Sequence, residues 1–109
     1  MIYEHYEEAE YDWIWGPYFK PSEIACKGTD SLLVNPEALD VLVRARILAD
    51  KSFRIMSAYR SPTHNAFVGG APKSAHKLGV AFDISLRGHK KEKLYEQCQA
   101  AGFGSFGKY

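Results

Sequence analysis

Cysteine is scarce, with Cys26 and Cys98 the only two in the chain. Two thiols do not make the disulfide framework of a small secreted scaffold, and in a chain with no export signature they are expected to be buried and unpaired. No apolar run approaches the ~20 residues of a membrane span. The N-terminus is acidic and aromatic rather than basic and then apolar, so no signal peptide is expected either, and the chain is placed in the cytoplasm when made. Charge of one sign is missing as well. The 14 basic and 13 acidic side chains leave a net charge of +1 and are mixed along the sequence, which excludes the electrostatic footprint of a nucleic-acid or anionic-membrane binder. Internal repeats and low-complexity segments are absent, and no histidine follows His89.

At 109 residues and 46% hydrophobic content, the chain suits one core that buries roughly two thirds of the unfolded surface. Residues 1–17 differ from the rest, with Glu4, Glu7, Glu8, Glu10 and Asp12 set among Tyr3, Tyr6, Tyr11, Trp13 and Trp15. They form an acidic aromatic arm whose rings are expected to pack on the main body, because large exposed aromatic patches are rare. The domain proper is expected over 18–109. Pro21 opens a short helical turn, and Asn35-Pro36 opens a helix running to about Asp50. In that helix Leu39, Leu42, Val43, Ile47 and Leu48 mark the buried face, while Glu37, Asp40, Arg44 and Lys51 form a solvated stripe. Strands are expected at Phe53–Ser57, at Val80–Ser85 and finally over Phe103–Tyr109, with a helix over Gly88–Ala101 stopped by Gly102. Pro62 ends the first of these strands, and Gly69-Gly70-Ala71-Pro72 is a loop.

Ser74-Ala75-His76-Lys77-Leu78-Gly79-Val80-Ala81-Phe82-Asp83 carries the chemistry. An imidazole and a carboxylate are both good zinc ligands, but a separation of seven positions does not put them on one helical face. They converge if His76 closes a turn, Gly79 permits it, and Asp83 lies on the strand that follows. Strand alternation then sends Ala81 and Asp83 to one face, and Val80, Phe82 and Ile84 to the other. Upstream, Arg60 ends a strand able to pair with that of Asp83, and its fork of donors suits a substrate carboxylate or a developing oxyanion. Tyr59 offers a hydroxyl, although a core ring is its expected role. His64 is expected to act locally in its own turn. His89, and still more weakly His5, are the remaining histidines able to act as ligands.

Taken together, the order of motifs resembles the zinc D-alanyl-D-alanine carboxypeptidases and related peptidoglycan endopeptidases, whose fold is shared with the hedgehog signalling domain. The resemblance covers most of the chain, through Phe19, Ala25-Cys26-Lys27, the Asn35 helix, Ala58-Tyr59-Arg60-Ser61-Pro62, His64-Asn65, Val68-Gly69-Gly70-Ala71-Pro72, the His76 segment and Ala101-Gly102-Phe103-Gly104. It implies an α+β fold, with a small antiparallel sheet, flanking helices and a zinc cleft at one sheet face. It also implies His76 and Asp83 as zinc ligands, Arg60 as the residue that binds substrate and stabilises the transition state, and Ser74 as a support of the ligand loop.

The implied reaction is hydrolysis of a peptidoglycan stem peptide, at a D-Ala-D-Ala terminus or at an internal L,D bond. In the family a last strand brings a third ligand, a histidine, with the general base nearby. Here both are expected beyond Tyr109, since a degenerate member would lose a buried sheet element along with the metal. A phage or prophage setting would bring an unexported hydrolase to the wall, at lysis or as part of a virion contacted through residues 1–17. The contrasting expectation is a catalytically inert structural or binding module on the same scaffold.

Overall fold

The asparagine-proline pair at 35–36 shows how local chemistry sets the frame of the fold. In the computed structural model, which describes residues 2–104, Asn35 Oδ1 accepts from Ala38 N at 3.1 Å and Pro36 takes the first position of helix α2, Pro36–Ala49. The helix stops at Asp50, whose left-handed φ of 52° turns the chain while its N–H meets the carbonyls of Arg46 and Ile47. Leu39, Leu42 and Ala45 are buried. Val43 is half-buried, whereas Ile47 and Leu48 are about half exposed, contrary to expectation. At 100° per residue, Ile47 lies about 140° and Leu48 about 120° around the helix from Leu42, outside the stripe that faces the core.

The polar stripe also does more than meet water. Asp40 Oδ1 accepts from Trp15 Nε1 at 2.9 Å, and Arg44 Nη1 donates to the Ala101 carbonyl at 2.8 Å. These bonds tie α2 to the N-terminal segment and to helix α4, Lys91–Ala101, which packs against it through Leu94, Cys98 and Ala101. Helix α4 starts later than expected because Gly88, at φ 82°, turns the chain first; it ends at Gly102 as expected.

Four short strands form two antiparallel ladders among the described residues. Strand β1, Ile2–Tyr3, pairs with β2, Leu32–Leu33. Strand β3, Ile55–Ser57, pairs with β4, Asp83–Ile84, with an irregular register between Ile55 and Ser57. The architecture is α+β, with the helices packed around these small ladders. Strands β3 and β4 are shorter than the expected segments; at β4, Val80 N is bonded back to the Ala75 carbonyl and holds the strand's entry in a turn. Of the expected last strand, residues 105–109 lie outside the described residues. Phe103 is half-buried and sets its ring edge-on to Phe82.

Of the aromatic residues among 2–15, Trp15 enters the core and Tyr3, Tyr6 and Trp13 pack against it, whereas Tyr11 is exposed, contrary to expectation. After β1, His5 caps a 3-10 helix, Tyr6–Asp12, by accepting from Glu7 N, while Glu8 Oε1 accepts from His5 N. Ala9 and Trp15 enter the core beside Phe19, Ile24 and Leu32. The short turn is helix α1, Pro21–Ile24. Helix α3, Pro62–Phe67, was expected only as the end of a strand, yet Ser61-Pro62 repeats the cap-and-proline signature of α2, with Ser61 Oγ accepting from His64 N. No helix among the described residues is long and apolar enough to cross a membrane.

A core this small is sensitive to lost volume. Leu42→Ala, at a fully buried site, is expected to cost about 2–5 kcal/mol in urea unfolding. Ile47→Ala, on the exposed flank of the same helix, should stay within about 0.5 kcal/mol.

Candidate metal centre

A serine, a tight turn and a glycine bring His76 to Asp83. Ser74 Oγ accepts from His76 N at 3.2 Å and starts a 3-10 helix, Ala75–Leu78. Gly79 closes it at φ 71°, and a Cβ there would stand 3.0 Å from the Leu33 carbonyl, so both backbone angle and space call for glycine. The chain then returns along β4, where Asp83 sits opposite Ser57. His76 Nε2 and Asp83 Oδ2 lie 3.6 Å apart, with the imidazole nearly buried and the carboxylate about a third exposed. The pair is therefore open to solvent on the carboxylate side.

The other ring nitrogen defines the tautomer. His76 Nδ1 lies 2.7 Å from the Ala58 carbonyl, which only accepts, so Nδ1 is a donor and Nε2 is the ring nitrogen that faces Asp83. Arg60 is joined to the same turn, since its backbone N donates to the His76 carbonyl at 2.9 Å. Its side chain runs towards Gly70, with Nε buried. Tyr59 is buried; its hydroxyl meets Ser31, and burial together with nearby Cys26 pushes its pKa up. It holds the place of a core ring.

The remaining histidines serve elsewhere. The His64 ring lies on Gly28, where a Cβ would overlap it, and stacks on Phe67. The His89 ring bonds the Ser52 carbonyl and meets Phe53 edge-on, and His5 caps its 3-10 helix. Among the described residues no group of three metal-binding side chains forms.

The peptidase M15 family model matches residues 17–109, which takes in every element of this centre. The chain belongs to the peptidase M15 family. No curated protein and no solved structure matches it. As an M15 member the protein is a peptidase by family, and the resemblance read from its motif order is borne out at that level.

The pair in this M15 chain has the spacing that one zinc ion requires. Bonds of about 2.0–2.2 Å in a tetrahedral arrangement set two ligand atoms roughly 3.3–3.6 Å apart. The observed 3.6 Å falls within that range, and one nitrogen with one carboxylate oxygen is a donor set zinc accepts. Two donors of a kind that zinc accepts thus lie at a distance one ion could bridge.

One site in the M15 domain was not anticipated from sequence. Cys26, a free thiol, lies 3.6 Å from Ser61 Oγ. Burial pushes its pKa up, but hydrogen bonds from Thr29, Ser61 and the Gly28 backbone outweigh this and bring it down to about 7. A folded-state pKa below the ordinary ~8.5 of a thiol adds stability above the unfolded value, and this is lost as pH falls through about 7. Thiolate absorbance is expected to titrate with a midpoint near 7, and the melting temperature should rise from pH 6 to pH 9 more steeply than in Cys26→Ser. A midpoint unmoved from ~8.5 would refute the assignment. Cys98, pushed up by burial alone, serves as the internal control.

Proposed function

We propose that this M15 member is a zinc-dependent hydrolase of peptidoglycan stem peptides, acting as a D,D-carboxypeptidase or an L-alanyl-D-glutamate-type endopeptidase. The observation that carries the reading is the 3.6 Å approach of His76 Nε2 to Asp83 Oδ2, with Nδ1 held by the Ala58 carbonyl. In this reading His76 and Asp83 hold the metal, which supplies Lewis acidity towards a scissile carbonyl and water. Ser74 fixes the backbone of His76. Arg60 binds a carboxylate or carbonyl of the substrate through its guanidinium and stabilises the negative charge that gathers on the carbonyl oxygen. The hydrogen bond from Arg60 N to the His76 carbonyl keeps substrate binder and metal ligand on one rigid unit.

The test is zinc stoichiometry by elemental analysis, paired with digestion of stem peptides and mass spectrometry of the products. One zinc per chain with release of D-alanine supports the carboxypeptidase, and a cut between L-alanine and D-glutamate supports the endopeptidase. The observation favouring an inert structural or binding module is that the described residues bring together two metal-binding side chains rather than three. Absence of zinc together with intact peptides would establish that second reading. The proposal extends to a phage or prophage setting, with Tyr11 and Ile14 exposed on the acidic arm as a contact for a virion partner. Finding the protein in purified virions would support that placement, and constitutive cytoplasmic expression without it would remove it.

A further inference from the structure

Among the described residues two buried hydrogen-bonding atoms have no partner, Arg60 Nε and Asn65 Oδ1. One is a donor and the other an acceptor, and the two side chains meet at Gly70. A Cβ on Gly70 would overlap Asn65 Oδ1 and stand 2.7 Å from Arg60 Nη1. Both groups therefore border the same Cβ-sized space, which glycine alone leaves open.

The direction of the Asn65 amide is fixed by chemistry. Its Nδ2 donates to the Ala71 carbonyl at 2.9 Å, and that carbonyl only accepts, so Oδ1 is the atom turned towards Gly70. The Asn65 carbonyl also accepts from Gly70 N at 2.8 Å, so one residue ties the loop at two points. Asn65 is 2% exposed. An amide oxygen unmet at that depth is destabilising, and the donor positioned to relieve it belongs to Arg60.

We infer that Asn65 is a positioning residue for Arg60. Its Oδ1 takes one guanidinium N–H across Gly70, which sets the plane of the fork and leaves the other donors for substrate. Only the catalytic consequence rests on the peptidase reading; the contact itself does not.

The experiment is nitrogen-15 NMR of the arginine side chains in the full chain, with the Arg60 signals assigned by their loss in Arg60→Lys. Arg60 N–H groups are expected to exchange with water about tenfold more slowly than those of exposed Arg54 and Arg87. This protection should vanish in Asn65→Ala and persist in Asn65→Asp, which keeps an acceptor but loses the donor to the Ala71 carbonyl. Gly70→Ala, whose Cβ would overlap Asn65 Oδ1 and crowd Arg60 Nη1, should also remove it by forcing the two groups apart. In hydrolysis, Asn65→Ala should lower kcat/KM about 10- to 100-fold at unchanged zinc content, with little further loss in an Arg60→Ala background. Arg60 exchange indifferent to Asn65 overturns the inference, as does Asn65→Asp failing as fully as Asn65→Ala, which would leave only a loop tie. A wild-type chain that cleaves nothing yet keeps Asn65-dependent protection of Arg60 would sink the peptidase reading and uphold the positioning role.

Discussion

Replacing His76 by alanine is expected to remove zinc and hydrolytic activity together while leaving the fold intact. In the proposed function the imidazole is one of two metal ligands, its Nε2 3.6 Å from Asp83 Oδ2. Loss of a partner that merely orients a metal ligand costs roughly 10- to 100-fold in metal affinity, so loss of a ligand itself should exceed that range. The hydrolytic rate should fall by on the order of 10³ or more, since the metal contributes several kcal/mol to the transition state. The fold should survive because the ring is not part of the hydrophobic core and its lost bond, to the Ala58 carbonyl, is one among many. Ser74 Oγ would still accept from the backbone N at position 76 and hold the turn. Elemental analysis, circular dichroism and peptide digestion on one preparation separate these effects. Unchanged zinc content in His76→Ala would sink the metal assignment.

The turn around His76 was legible because its determinants are local. Gly79 marks the reversal and Asp83 the strand that follows, while Ser74, which caps the turn, was reached only through the resemblance, as a support of the loop. Helix α2 was legible for the same reason, through Asn35-Pro36. What escaped depends on partners distant in sequence. The limits of the buried face of α2 depend on where α4 and the N-terminal segment lie, so Ile47 and Leu48 read as core from spacing alone. Arg44 read as solvated because its partner, the Ala101 carbonyl, is 57 residues away. The lowered pKa of Cys26 combines bonds from nearby Thr29 and Gly28 with those from Ser61, 35 residues on, and no periodicity reports that last meeting. Asn65 and Gly70 are close in sequence, yet their relation to Arg60 becomes visible only when the loop is closed. Helix α3 is a different kind of omission, since Ser61-Pro62 carried the signal and proline was read as the end of a strand rather than the start of a helix.

Arg60→Lys is expected to keep the zinc and lose most of the activity. The substitution preserves positive charge and most of the length, so it separates electrostatics from geometry. A guanidinium offers five N–H donors in a planar fork, whereas an ammonium is a compact, strongly hydrated point charge. If Arg60 works by matching a planar carboxylate or carbonyl, lysine should reduce kcat/KM by about 10²–10³, the range for loss of one donor to a developing oxyanion. Zinc content should hold, because the backbone bond from residue 60 to the His76 carbonyl does not depend on the side chain. Lysine would also place a hydrated ammonium in the space beside Gly70 that the guanidinium borders. Near-wild-type kcat/KM in Arg60→Lys would reduce the role of Arg60 to its charge. Loss of zinc along with activity would instead make Arg60 a structural support of the His76 turn, and the substrate-binding role would have to move to another residue.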